Sequence, residues 1–339
     1  VERTKSGFSN YNDAKIAYDK VIAGGLDSVV RTDHITINQL FDQWFSSYIN
    51  QVKPSTASKK MTAYNAHIRA VFGSKEPKDI TTMMLQRYAN KLATQVVKYS
   101  EPIFLLKNLL QQAIVLGYIN VSPFRRFTMP RKTTRPRRDV SNNFYNKSDL
   151  KKFLAAANKY NKKAYTYFMI LASTGMRKSE GLALTWNDIH FDEGYIDINK
   201  TLALGMQNKL IVQGPKSPKS KRHVPLSNNL KRCLIEYHQD NQGYKKIFHR
   251  KTDQYLYLST PVNWLMSIYD KNPDLKRITI HGFRHTFASI LIESNPRIKP
   301  TDVQAVMGHE TVQMTLDIYT HVTDEGRDNI QNSLNNLDF

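Results

Sequence analysis

Between residues 125 and 138 the chain carries seven basic side chains and two prolines, with no acid before Asp139. The basic residues are Arg125, Arg126, Arg131, Lys132, Arg135, Arg137 and Arg138, and the prolines are Pro130 and Pro136. Like charges this close repel, and proline donates no backbone hydrogen bond. The stretch therefore belongs to no core and is predicted to be extended. A break of this kind divides the 339 residues into separately folded parts, which their number already favours. It can serve as a solvated linker, or as a strap along phosphates, each of which releases counterions when neutralised. The two readings are compatible.

Upstream of the break, residues 34–124 read as all-helical. Ile37, Leu40, Phe41, Trp44 and Tyr48 recur at intervals of three and four and mark a first helix. Pro54 restarts the chain, with Ser55 or Thr56 as the expected N-cap, and Lys59, Lys60, Tyr64, His67 and Arg69 follow on a helix ending near Gly73. Ile80-Thr81 opens a third helix through Leu85, Tyr88 and Leu92, and residues 101–116 form a fourth, closed by Gly117. The aromatic and aliphatic stripes are read as the core of a four-helix domain. Residues 1–30 are too few to bury a core. With helical spacing from Asn12 to Ile22, they read as the tail of a truncated small domain or a docking arm, and Val1 suggests a start inside a longer protein.

Downstream the pattern changes. Ser148 is the expected cap of a helix carrying Leu150, Phe153, Leu154 and Ala157, and a helix over 163–173 is apolar nearly all round, hence buried. Tyr195 to Asn199, Leu210 to Gln213 and Lys221 to Pro225 alternate at period two, predicting a small three-stranded antiparallel sheet in a mainly α domain. Helices are expected again at 228–238, 261–269, 284–294, 300–307 and 311–318. In the tail, 326–339, Ile330, Leu334 and Leu337 form a stripe too short to be stable alone, a candidate for docking on a neighbouring protomer.

Composition narrows the partner. Basic residues outnumber acidic ones 49 to 29, for a net charge of +20 and a pI near 9.8. Such an excess favours a polyanion, most often nucleic acid, over a merely solvated basic surface or acidic lipid. The single cysteine, Cys233, excludes an intramolecular disulfide and fits a reducing cytoplasm. No apolar run approaches the roughly 18 residues of a membrane span, and no signal-peptide pattern is present.

Four frames hold the chemistry: TGMRKSEGLAL (174–184), PKSPKSKRHVPL (215–226), HGFRHTFAS (281–289) and MGHETVQMTLDIYTHV (307–322). Arg177 and Glu180 lie three apart at a helix start and share a face, so the carboxylate can orient the arginine fork on a phosphate. Alone, the pair is equally a surface ion pair. His281 and Arg284 repeat the spacing at a second helix start, adding another fork and a donor or proton carrier. His281 and His285 also have the spacing of a zinc pair, but no third ligand frame accompanies them, and His285 reads as a buried hydrogen-bonding residue. His309 precedes Tyr319 by ten residues. Phenol, with a pKa near ~10, is a poor nucleophile until guanidiniums and imidazole favour its anion. Lys216 sits in the turn before the last strand, where an ammonium can protonate a leaving alkoxide; Lys219 and Lys221 are rivals, or simply phosphate contacts.

Taken together these motifs resemble the tyrosine recombinase family, and within it the integrases of temperate phages and of conjugative transposons. The frame from Pro215 to Arg222 is similar to the family's Pro-Lys-Thr-x-x-Ser-x-Arg pattern, departing at Ser217 and Pro218. The resemblance implies that Arg177, Lys216, His281, Arg284 and His309 activate the phosphate, that Tyr319 is the nucleophile, and that Glu180 stands behind Arg177. It implies residues 1–30 as the remnant of an arm-binding domain with its connector and 31–125, opening ITINQLFDQWF, as a helical, SAM-like core-binding domain. Residues 126–143 become a basic linker, 144–325 an α+β catalytic domain and 326–339 a docking tail. The implied fold is mainly α with a small antiparallel sheet, the two domains forming a C-shaped clamp on DNA. The implied reaction cuts and rejoins strands through a 3′-phosphotyrosine, with no metal, nucleotide or other cofactor. The implied setting is a homotetramer on double-stranded attachment sites, on the nucleoid in the cytoplasm of a bacterial host, with an excisionase and a DNA-bending host protein as further candidate partners. The expected DNA contacts are Lys59, Lys60, Lys219, Lys221 and the seven basic residues of the break. Two other classes compete: a type IB topoisomerase, which shares the toolkit, and a catalytically silent DNA-binding protein.

Overall fold

The computed structural model describes residues 34–131, 143–215, 220–295, 297–308, 311–313 and 316. The chain divides into two compact units, 1–135 and 136–339.

In the first unit, α1 (Ile37–Tyr48) is closed at its start by a capping box between Thr36 and Gln39 and buries Ile37, Leu40, Phe41 and Phe45. Helix α2 (Pro54–Ala63) continues through a wider turn at Tyr64–Ile68 and ends with Arg69–Phe72. No side chain caps α2. Extended Lys53 precedes it and Pro54 occupies its first position, so neither Ser55 nor Thr56 is the cap; proline's fixed φ and missing N–H suit that place. Tyr64 stacks on Phe41 with ring centroids 3.7 Å apart, and its hydroxyl donates to Asn38 Oδ1 at 2.7 Å. Burial raises the Tyr64 pKa to about 12. The Asn38 amide in turn donates to the Gly73 carbonyl at 2.9 Å. A Cβ at Gly73 would lie 2.4 Å from the Arg69 carbonyl oxygen and 2.5 Å from Asn38 Oδ1, so close approach demands glycine there. Helices α3 (Thr82–Gln95) and α4 (Ser100–Val115) complete the unit, with Leu105, Leu106, Leu109, Leu110 and Ala113 of α4 fully buried.

The start of the basic break is not extended. Pro123–Arg126 forms a 3-10 turn capped by Ser122, so Arg125 and Arg126 sit on a turn. The cause is the apolar residues spaced among the arginines. Phe124, Phe127 and Met129 pack against buried Ala89, Leu92 and Ile103, and the Tyr99 hydroxyl donates to the Pro130 carbonyl. Lys132, Arg135, Arg137 and Arg138 lie outside the described residues, as do residues 1–33 and the tail.

In the second unit, α5 (Lys147–Tyr160) is capped by Asn146, whose Oδ1 accepts from the Asp149 amide at 2.8 Å. The cap is thus two residues before the expected Ser148, and it leaves the Asp149 carboxylate in the first turn, where the helix dipole favours it. Helix α6 (Lys162–Thr174) is largely buried, with Lys162 exposed and Tyr165, Met169 and Ser173 half-buried along one side. Its Phe168 packs against Phe153 and Phe283, stacked on the latter at 5.0 Å. Tyr145 and Tyr269 close this core with hydroxyls 2.7 Å apart.

One sheet was expected and two are found. Strands β1 (Ile189–His190), β2 (Tyr195–Ile198) and β5 (Arg222–Pro225) form an antiparallel sheet in that order, while β3 (Thr201–Leu204) and β4 (Leu210–Gln213) form a separate hairpin. The register pairs Ile198 with Arg222 and Leu202 with Val212. Leu210–Gln213 pairs with its neighbour in sequence because the 205–209 turn, with Gln207 and Asn208 at positive φ, folds it straight back. Helices α7 (Lys178–Ala183), α8 (Asn228–Gln239), α9 (Thr260–Lys271), α10 (Gly282–Ser294) and α11 (Pro300–Met307) supply the rest. Of the expected helix 311–318, four residues are described, and there the Leu316 amide donates to the Val312 carbonyl at 2.9 Å. Among the described residues no helix is long and apolar enough to cross a membrane.

Replacing Gly73→Ala should destabilise the first unit by about 1–3 kcal/mol, the range for overpacking. Urea unfolding followed by Trp44 fluorescence measures it; an unchanged midpoint would show that the contact yields freely.

Candidate functional site

The site grows from two helix ends. Helix α6 stops at Gly175, in the left-handed region at φ +61, where a Cβ would also sit 2.5 Å from the Phe287 ring. Helix α11 stops at Gly308, at φ +63. Each glycine turns a carbonyl outward at the negative end of a helix dipole, and each carbonyl holds an arginine. The Gly175 carbonyl accepts from Arg284 Nη1 at 2.7 Å, and the Gly308 carbonyl accepts from Arg177 Nη2 at 3.1 Å.

Two residues beyond Gly175, extended Arg177 serves as the N-cap of α7. Having no acceptor, its side chain cannot cap. Instead Glu180 reaches back, its Oε2 accepting from the Arg177 amide at 2.8 Å and its Oε1 from Arg177 Nη1 at 2.9 Å. The predicted pair therefore forms, but not as a surface ion pair, because Glu180 is only 4% exposed. Burial alone would push the Glu180 carboxyl up. Arg222 and Arg177 more than offset it and hold the group below the usual carboxylate range.

Arg222 is the residue that sequence reasoning missed. Its Nη2 donates to Glu180 Oε2 at 3.0 Å, its Nε to the Val306 carbonyl at 2.7 Å and its Nη1 to the Ser220 carbonyl at 3.1 Å. Its place in the strand pattern could have revealed it. Arg222, Val224 and Leu226 alternate as the buried positions of β5, with exposed Lys221, His223 and Pro225 between them, so an arginine falls on an apolar face and requires a partner there.

Arg284, on the first turn of α10, is 3% exposed. Among the described residues its buried Nη2 has no hydrogen-bond partner. Burial and the charges of Arg177 and Arg222 lower its pKa to about 9, against a smaller opposing pull from Glu180. His281, at the start of the same helix, is exposed as a residue. Partial burial of the imidazole, then the charges of Arg284 and Arg177, lower its pKa below the ordinary value and so favour the neutral form. His285 is half-buried, its ring edge-on to that of His281 at 4.9 Å. Among the described residues no group of three His, Cys, Asp or Glu could hold a metal ion.

The structure thus brings together Arg177, Glu180, His281 and Arg284 and adds Arg222. Lys216, His309 and Tyr319 lie outside the described residues, as does Lys219. Arg177 and Arg222 share the Glu180 carboxylate as their hydrogen-bonded counter-charge, while Arg284 bonds only the Gly175 carbonyl, leaving a positive surplus and an orphaned donor, conditions that suit an anion of phosphate geometry. Of the expected DNA contacts, Lys59, Arg125, Arg126, Arg131 and Lys221 are exposed and Lys60 is half-buried.

Glu180→Gln leaves buried Arg222 and partly exposed Arg177 without their counter-charge and should cost about 3–5 kcal/mol. The pH dependence has a definite sign. A carboxyl with a depressed folded pKa adds stability above its unfolded value near ~4.3, and loses it as pH falls through the folded value. The melting-temperature gap between parent and variant should be flat above pH ~5 and narrow in more acidic solution; a gap widening on acidification would contradict the assignment.

The comparisons with known proteins identify the family and the fold. Residues 143–326 match the phage integrase family and residues 36–93 its N-terminal SAM-like domain. A tyrosine recombinase XerC-like protein of Caldanaerobacter subterraneus subsp. tengcongensis is 26% identical over 354 residues, covering 95% of this chain and 88% of the relative. The Tn1549 transposon integrase in complex with transposon right end DNA superposes with a TM-score of 0.69 at 21% identity, covering 88% of this chain and 100% of that one. A lambda integrase tetramer bound to a Holliday junction gives a TM-score of 0.63 at 16% identity, covering 91% and 85%. A shared fold of this extent and a family match over more than half of its residues decide the matter: the chain belongs to the phage integrase family, the tyrosine recombinases, and is a DNA strand-transferring enzyme.

Proposed function

We propose that this integrase grips one scissile phosphate between Arg177 and Arg284 and passes the strand to Tyr319. The observation that carries the reading is the buried, charged Nη2 of Arg284 with no acceptor. Burying an unpaired donor is costly, and a bound phosphate oxygen would supply the missing partner. Arg177, its Nη1 and Nη2 directed by Glu180 and Gly308, gives the second fork. In the proposed step the Tyr319 oxygen attacks phosphorus, the P–O5′ bond breaks, and Lys216 gives a proton to the departing 5′-oxygen. Neutral His281 takes the phenol proton, and His309 donates to a non-bridging oxygen. The bond energy is kept in the 3′-phosphotyrosine, so rejoining needs no nucleotide; the 5′-hydroxyl of a partner strand attacks it and frees the tyrosine.

The two guanidiniums are already held before substrate arrives, so they stabilise charge growing on the phosphorane without reorganising. The anion also reverses the local field, which favours the imidazolium form of His281 once the phosphate is bound.

Double-stranded attachment sites of a phage or mobile element are the substrate in this reading, with four protomers on two duplexes. The lambda integrase tetramer on a Holliday junction supports that assembly by fold. Lys59, Lys60, Arg125, Arg126, Arg131, Lys132, Arg135, Arg137, Arg138, Lys219 and Lys221 contact the phosphate backbone. The helical unit is the core-binding domain, the second unit the catalytic domain, and residues 326–339 dock on a neighbouring protomer. An excisionase and a DNA-bending host protein complete the proposed set of partners. Membership of the integrase family favours recombination over relaxation by a type IB topoisomerase.

On a nicked duplex carrying the attachment site of the parent element, Tyr319→Phe should bind normally and give no SDS-resistant protein–DNA adduct. A persisting adduct would assign the nucleophile elsewhere. Arg284→Ala should slow adduct formation by about 10²–10³-fold, the loss typical of one removed donor to a developing oxyanion, with a far smaller change in affinity; equal losses in both would mean a structural role. Binding should also weaken steeply with salt, the logarithm of affinity falling by about 0.9 per neutralised phosphate for each unit of log salt. A flat profile would exclude the basic residues of 125–138 as phosphate contacts.

A further inference from the structure

Arg222 is buried like Arg284, its side chain 5% exposed, but unlike Arg284 it keeps no nitrogen without an acceptor. All three of its nitrogens donate to protein acceptors. Two of those contacts lead to the two groups that orient Arg177. Arg222 Nη2 shares Glu180 with Arg177, taking Oε2 while Arg177 Nη1 takes Oε1. Arg222 Nε holds the Val306 carbonyl, two residues before Gly308, whose own carbonyl takes Arg177 Nη2. The Gly308 backbone rests on the Arg222 side chain, where a Cβ would meet Cδ and Nη1 at 3.2 Å. Arg177, Glu180, Arg222 and the 306–308 corner therefore close a ring of charge-assisted hydrogen bonds across α7, β5 and α11. A lysine cannot replace the hub: its ammonium is a point charge without the planar fork that meets acceptors in three fixed directions.

We propose that Arg222 is the positioning residue of Arg177, fixing both acceptors of that guanidinium so that its remaining N–H groups face the scissile phosphate before DNA binds. The proposal rests on the reading of Arg177 as a phosphate-gripping residue. Arg222 also adds positive charge beside Arg284, but it touches neither substrate nor reacting atoms. Its loss is felt in the chemical step and not in DNA affinity, because a fork turned out of line still attracts the anion but no longer fits the transition state.

The test uses the full chain and a nicked attachment-site duplex, with melting temperature, DNA affinity and single-turnover adduct rate read in parallel. Parent protein forming an adduct that Tyr319→Phe abolishes establishes the underlying reading; no adduct from the parent would sink that reading before Arg222 is judged. Arg222→Lys and Arg222→Gln should then bind DNA within about threefold and form adduct about 10²-fold more slowly, the size of loss that a displacement near 1 Å produces. Because Arg222 acts through Arg177, combining Arg222→Gln with Arg177→Lys should slow the reaction no more than Arg177→Lys alone. A residue that merely supports the fold would instead multiply the two losses. If both Arg222 variants fail to fold, Gly308→Ala tests the same contact by pressing a methyl into the Arg222 side chain while every charge remains, and the same pattern of intact binding and slow adduct is expected. Full activity of Arg222→Lys, multiplied losses in the double variant, or unimpaired adduct formation by Gly308→Ala would each overturn the proposal.

Discussion

A single buried carboxylate organises the catalytic unit. Glu180 accepts from the Arg177 amide, from the Arg177 guanidinium and from Arg222, and is almost entirely closed to water. Buried ions are tolerable only when paired and hydrogen-bonded, and here each oxygen has a directed donor. The pairing joins a short helix, an edge strand and, through the Val306 carbonyl, the end of α11. Those three elements are far apart in sequence, and Leu182, Ala183, Val224 and Val306 also bring them to one apolar core. Charge geometry acts there together with packing.

Helix ends supply the other half of the scaffold. A helix terminates with carbonyls that lack intrahelical partners and carries partial negative charge there. At Gly175 and at Gly308 that leftover capacity is spent on Arg284 and Arg177. Each arginine is held by one edge, while Nη2 of Arg284 stays without an acceptor. One carboxylate does not balance three guanidiniums, so the unliganded site carries a surplus of positive charge. The lowered pKa values of Arg284 and of His281 reflect burial first and the same crowding of charge second. Under the proposed function, a bound phosphate would offset that surplus.

Much of this was legible in the residues. Periodicity at three and four located the helices of both units, because a helix must bury one face whatever it packs against. An all-round apolar stretch marked α6 as the buried centre. The spacing of Arg177 to Glu180, and of His281 to Arg284, placed each pair on one side of a helix start. What escaped were features decided by competition between neighbours. Asn146 and Ser148 are both good caps, and the chain uses the first. Pro54 takes the place expected to follow a capping hydroxyl. Period-two alternation found three of five strands but could not say which would pair, since the 205–209 turn joins β4 to β3 instead of to the main sheet. Phe124 and Phe127, hidden among arginines, anchor a stretch whose charge alone suggested an extended strand.

By itself the sequence determined the kinds of chemistry available: guanidiniums, imidazoles, a lysine and a tyrosine in ordered frames, on a strongly basic chain with a helical unit before the break and a mixed one after it. These follow from local rules, as side-chain period, charge and turn residues act over a few positions. Only the tertiary structure decided that Glu180 is a buried hub and not a surface partner, that Arg222 joins it from 42 residues away, and that one donor of Arg284 is left without an acceptor. Burial and satisfaction of a polar group depend on what other segments bring to it, and no window along the chain contains that information.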